Sequence, residues 1–115
     1  MTQLLHLTER ASWLAAERTG EYRLSTRGVT LADQGFIHCS LPHQLREVAE
    51  RWYHDADDLV VLVIDEARVP APVRFEAAAP GVEDYPHIYG PLPVSAVTEV
   101  IPVSRDETGR FVLPE

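Results

Sequence analysis

Leu59-Val60-Val61-Leu62-Val63-Ile64 is the stretch that most constrains how this chain can fold. Strand side chains alternate between two faces, so a run apolar at every position can leave neither face in water. It must be an interior strand, covered on both faces by the rest of a 115-residue chain. A membrane-spanning helix needs roughly 20 apolar residues, so six make a core strand, and no membrane association is expected.

The covering elements can be read on either side of it. Gln3 to Leu7 is short and mostly apolar, an opening strand. Thr8 then stands where an N-cap belongs, and a helix over about 9–19 follows. Ala11, Leu14, Ala15 and Arg18 share one face of it, and Gly20 ends it. Phe36 to Ser40 reads as a second strand entering a helix over about 41–54, with Ser40 as N-cap. Leu45, Val48, Ala49 and Trp52 follow the i, i+3, i+4, i+7 spacing of a buried face. Trp52 thus takes a core position, where truncation costs roughly 3–5 kcal/mol. Beyond the central strand, Val73–Glu76, His87–Tyr89, Val97–Val103 and Phe111–Leu113 are strand candidates. The prolines from Pro70 to Pro102 forbid a long helix there. Strand, helix, strand, helix and then a run of strands describes a single α+β domain over residues 1–115.

Composition removes several function classes. The 18 acidic residues outnumber ten basic ones, giving a formal charge of −8, and a domain of that sign is poorly suited to neutralising phosphates on nucleic acid. All ten basic residues are arginine, which removes Schiff-base lysine chemistry and the P-loop lysine. The six glycines form no GxGxxG turn. One cysteine, Cys39, supports neither a disulfide framework nor a cysteine-based zinc site. The N-terminus lacks the basic start and apolar stretch of a secretory signal, so a cytoplasmic location is expected.

Three of the five histidines lie on expected strands: His6 in Leu4-Leu5-His6-Leu7-Thr8, His38 in Phe36-Ile37-His38-Cys39-Ser40, and His87 in Tyr85-Pro86-His87-Ile88-Tyr89. Alternation puts the apolar neighbours on one side and each histidine on the other, with Thr8 or Ser40 on the histidine's own face. If those strands pair, imidazoles and hydroxyls converge near helix N-termini, an arrangement suited to hydroxyl-rich, anionic ligands. The plainer readings stand beside it. The histidines serve as core hydrogen-bonding groups, Thr8 and Ser40 as helix caps, Tyr85 and Tyr89 as packing aromatics. Cys39 points away from His38 into the core. His43 and His54 receive no role, and Asp57, Asp58, Glu83 and Asp84 are solvated loop charges. A three-histidine zinc site with an open water position is the rival chemical reading. No two histidines have the spacing of a ligand pair on one helix, so no metal is expected.

The strings Leu5-His6-Leu7-Thr8, Gly35-Phe36-Ile37-His38-Cys39-Ser40, Phe75-Glu76 and Tyr85-Pro86-His87-Ile88-Tyr89-Gly90-Pro91-Leu92 resemble a bacterial family catalogued as domain of unknown function nine-fifty-two. More distantly, the succession is similar to the ADP-ribosyltransferase fold, in the branch that contains tRNA 2′-phosphotransferases. An early strand there reads roughly Leu-Tyr-His-Gly-Thr, and a later one, roughly Val-His-Leu-Ser, enters a helix. The resemblance implies a split, mostly antiparallel sheet and a cleft for NAD or an ADP-ribose-type ligand. It also implies that His6 holds the ribose of NAD and that His38 and Ser40 line the nicotinamide side, with His87 to Tyr89 at a third position. His6 and His38 would be the catalytic pair, and Thr8, Ser40, His87 and Tyr89 the ligand contacts. This sequence departs from the pattern at Leu7, where relatives have glycine. It has no obvious catalytic glutamate, Glu76 being the nearest, and only Arg27 stands in for the phosphotransferases' arginines. The expected activity is ADP-ribosyl or phosphoribosyl-type transfer on a small-molecule ligand, the alternative a non-catalytic binding module on the same fold.

Overall fold

In the computed structural model, which describes residues 3–77 and 79–114, the chain begins with β1 (Gln3–Glu9), α1 (Arg10–Thr19), β2 (Glu21–Tyr22), β3 (Leu24–Thr26) and β4 (Val29–Thr30). A single turn α2 (Leu31–Gln34) and β5 (Ile37–His38) follow, and a 3₁₀ turn, Pro42–Gln44, leads into α3 (Leu45–Trp52). The remainder is β6 (Leu59–Asp65), β7 (Val73–Glu76), β8 (Tyr85–Ile88), β9 (Leu92–Pro93), β10 (Val97–Pro102), β11 (Ser104–Arg105) and β12 (Phe111–Val112). The architecture is α+β with antiparallel pairing throughout. No helix is long and apolar enough to cross a membrane.

The six-residue apolar run is the middle strand, β6, of a sheet ordered β1-β6-β10. All of Leu59 to Ile64 is buried. Val60, Leu62 and Ile64 meet Leu4, Trp13, Ala16, Tyr22 and Ile37 on one face. Leu59, Val61 and Val63 meet Leu5, Leu7, Leu45, Val48 and Phe111 on the other. One strand therefore feeds two cores, as its composition requires. A second sheet, ordered β5-β8-β7, joins the first where Leu5 and Ser40 exchange backbone hydrogen bonds of 2.8 and 2.7 Å.

Several expectations are corrected. α1 ends at Gly20 as expected, in a left-handed conformation with its N–H on the Ala16 carbonyl. Its core face, however, is Trp13 and Ala16, and Leu14 is exposed. The indole buries more apolar surface than Leu14 could, so it sets the helix rotation. Neither Thr8 nor Ser40 caps a helix: Glu9 is the N-cap of α1 without a side-chain bond, and Thr8 is a buried strand residue. Ser40 is spent on the bridge to Leu5, and Gln44 instead satisfies the turn by accepting from the Leu41 N–H through its side-chain carbonyl. Trp52 is 54 % exposed. Tyr53, the C-cap residue of α3, takes the core place that the heptad-like spacing gave to Trp52.

Gly90 follows β8 for a packing reason. A Cβ there would lie 2.8 Å from the Ala71 Cβ, an approach only glycine permits. Beside it, Tyr89 donates its N–H to the Pro72 carbonyl and prolongs the strand pairing.

Leu62→Ala should lower unfolding free energy by about 2–5 kcal/mol, because it opens a cavity in a sealed core. Trp52→Ala should cost under about 1 kcal/mol, and urea titration of the two variants separates them.

Candidate functional site

β8 is the centre strand of the second sheet, and register decides what shares its face. His38 pairs with His87, Arg74 with His87, and Glu76 with Tyr85. Strand alternation then puts Phe36, His38, Arg74, Glu76, Tyr85, His87 and Tyr89 on one side of the sheet. Ile37 and Ile88, buried on the opposite side, join the core that faces α1. The face carrying the imidazoles is the wall of a pocket of about 700 Å³, closed opposite by Val48, Arg51 and Trp52 of α3.

Glu76 is fixed within this wall. His87 donates Nδ1–H to its Oε1 at 3.0 Å, and the Tyr89 hydroxyl donates to the same oxygen. Both bonds hold the carboxyl below its usual range, the tyrosine first and the histidine second. Its Oε2 has no protein partner among the described residues. The Tyr89 phenol is in turn pushed up by that hydrogen bond. Phe36 stacks on His87 with ring centres 3.9 Å apart and planes 16° from parallel. The imidazole is thus clamped between an aromatic face and a carboxylate.

His38 has a different setting. Its ring lies 5.1 Å from that of Tyr85 and 5.4 Å from that of His87. No protein group among the described residues hydrogen-bonds its ring nitrogens, while its backbone N–H donates to Ser25 Oγ. Burial, then the neighbouring His87, lowers its pKa to about 4. At neutral pH His38 is an uncharged imidazole with a free lone pair in a pocket, able to accept a proton from a bound ligand.

His6, Thr8 and Ser40 do not reach this pocket. His6 is 2 % exposed and both its ring nitrogens are used: Nδ1 lies 2.7 Å from the His38 carbonyl and Nε2 2.7 Å from the Tyr22 hydroxyl. A carbonyl only accepts, so Nδ1 carries the proton. Burial lowers the His6 pKa to about 4, leaving Nε2 bare to accept from Tyr22. Thr8 Oγ1 is 2.8 Å from that same hydroxyl and closes a buried chain from Thr8 through Tyr22 and His6 to the backbone of His38. In this geometry the His6 ring holds the backbone of His38. Cys39 is buried on the core side, and burial raises its thiol pKa. Among the described residues there is no group of three or more His, Cys, Asp or Glu side chains placed to hold a metal ion.

Sequence reasoning took Tyr85 for packing and Glu83 for a solvated charge, yet both line the pocket. Glu83 Oε1 accepts from Gln44 Nε2 and from His43 Nε2 at 2.8 Å, so His43 has a structural partner after all. The signal for Phe36 and Tyr85 was present in the two-residue alternation around His38 and His87, whereas Glu76 joins their face through the register of β7 on β8. Nothing local marks Glu83 or Trp52, which arrive from other elements.

Residues 7–100 match the family described as protein of unknown function (DUF952). The chain belongs to that family. The matched span contains every residue that lines the pocket. The crystal structure of protein CC0527 from Caulobacter crescentus is similar to this DUF952 chain at 30% identity, covering 96% of this chain and 94% of that one, with a TM-score of 0.82. The solution structure of CC0527 gives a TM-score of 0.77 at 31% identity, covering 96% and 91%. No curated protein matches the chain.

The buried imidazole of His6 has a pH signature. Its pKa is about 4 in the folded chain against 6.5 when free, so between those values the unfolded chain binds the extra proton. The stabilisation is complete above pH 6.5 and is lost as pH falls toward 4. Replacing the ring by a neutral amide, His6→Gln, should remove about 2 kcal/mol of the stability that the native DUF952 domain loses between pH 7 and 4.5. Paired denaturant titrations at the two pH values measure it.

Proposed function

We propose that this DUF952 domain has an ADP-ribosyltransferase-like fold and binds the nicotinamide-ribosyl end of NAD, or a related ADP-ribose-type ligand, in the histidine-lined pocket. The observation that carries the reading is Glu76, tethered through one oxygen to His87 and Tyr89 while the other is left without a protein partner among the described residues. A carboxylate so held is ready for a ribose hydroxyl or for positive charge on a sugar ring. The lining suits the pyridinium half of the ligand. Phe36, Tyr85 and Tyr89 offer aromatic faces, and Glu47, Glu76 and Glu83 outnumber the one cationic lining side chain, Arg51.

The resemblance in the strings around His6 and His38 supplies the class of ligand, and the pairing of His38 with His87 accounts for the segment His87 to Tyr89 lying beside the second of them. Glycosyl transfer from such a ligand breaks the bond from the ribose anomeric carbon to the ring nitrogen, whose electron pair leaves with nicotinamide. The sugar passes through an oxocarbenium-like state, which the ionised Glu76 stabilises. An acceptor oxygen then bonds to that carbon and gives its proton to the uncharged His38. His6 acts through the His38 carbonyl as a positioning residue, with Tyr22 and Thr8 behind it.

Calorimetric titration of the wild-type chain with NAD and nicotinamide riboside should give saturable binding. Glu76→Gln should weaken it at least about tenfold, with the melting temperature retained. Release of nicotinamide on incubation distinguishes an enzyme from a binding module. Failure of both ligands to bind at millimolar concentration would sink the proposal.

A further inference from the structure

The pocket has an outer part that the nicotinamide-ribosyl reading does not use. At about 700 Å³ it falls in the range of roughly 300–1,000 Å³ that holds a drug-sized ligand, more than one ring and its sugar require. The residues around Glu76 come from β5, β7, β8 and their flanks. The wall across from them comes from α3, through Val48, Arg51 and Trp52, and from Val82.

Two of those residues are out of place on grounds of folding alone. Trp52 is 54 % and Val82 48 % exposed, the only large apolar side chains of the pocket lining left so open among the described residues. α3 buries Leu45, Val48 and Ala49, and Tyr53 completes its core contact, so the indole adds little to packing. Single exposed apolar residues need no explanation. An indole and a valine on one cavity, both wet, form an apolar lip that a ligand would dry.

Building on the proposed NAD-type reading, we infer that Trp52 and Val82 form a second ring subsite, which takes the purine of a dinucleotide while the inner wall holds the pyridinium. An indole face stacks on any nucleobase. A ligand with two planar rings joined by a flexible linker uses both ends of the pocket, whereas a mononucleoside fills one. Trp52 thereby sets the preference for dinucleotide over nucleoside.

The test compares two probes, NAD and nicotinamide riboside, on wild type, Trp52→Ala and Trp52→Phe by calorimetric titration. Wild type should bind NAD about tenfold or more tighter than nicotinamide riboside, the size of one stacking contact. Trp52→Ala should bring the ratio of the two affinities close to one, and Trp52→Phe should restore most of it. Circular dichroism melts establish that each variant is folded. An unchanged ratio in Trp52→Ala, or a wild-type ratio already near one, overturns the subsite and leaves the inner pocket reading intact. Absence of binding by both probes to wild type instead overturns the reading on which it rests, and this subsite with it.

Discussion

Three hydrogen bonds hold the two sheets to each other, and the pocket depends on them. Leu5 and Ser40 trade a backbone pair, and the His6 ring reaches the carbonyl of His38. The first sheet carries α3 on one face; the second carries His38, His87 and Glu76. The pocket lies between these two bodies, so its width is the angle at which they meet. A buried imidazole at that meeting point is costly to charge. Its neutral form is held from both ends, by the His38 carbonyl at one ring nitrogen and the Tyr22 hydroxyl at the other.

The wall of the pocket combines opposite demands. Its aromatic rings and uncharged imidazole favour a planar, weakly hydrated ligand, while the carboxylates of Glu47, Glu76 and Glu83 favour one with positive charge. The expectation from sequence of an anion-friendly site at helix N-termini fails for a geometric reason: Thr8 and Ser40 lie in buried strand structure, and α1 and α3 begin elsewhere. What remains is a site whose chemistry is set by side chains of one sheet face.

Much of the fold was legible because its elements obey simple periods. The run at 59–64 had to be central, Gly20 had to end a helix, and Leu45, Val48 and Ala49 had to face a core. The errors came where two residues compete for one place. Trp13 outweighs Leu14, and Tyr53 displaces Trp52, outcomes that depend on which direction the core lies in and so on contacts distant in sequence. The site was half legible for the same reason. Alternation around His38 and His87 marks their shared face, but pairing of His38 with His87 is a matter of register. The withdrawal of His6 follows from Tyr22, sixteen residues away, in a segment with no pattern of its own.

The missing Cβ at Gly90 ties the pocket to a position outside its lining. Ala71 occupies the space that any other residue at 90 would need, so the two sites can change only as a pair. An enlarged side chain at either would lever the end of β8 away from Pro72, carry the Tyr89 hydroxyl off Glu76, and release one of the carboxylate's two moorings. Lineages that drift at position 71 would therefore betray, in their position 90, whether they still keep that carboxylate in place.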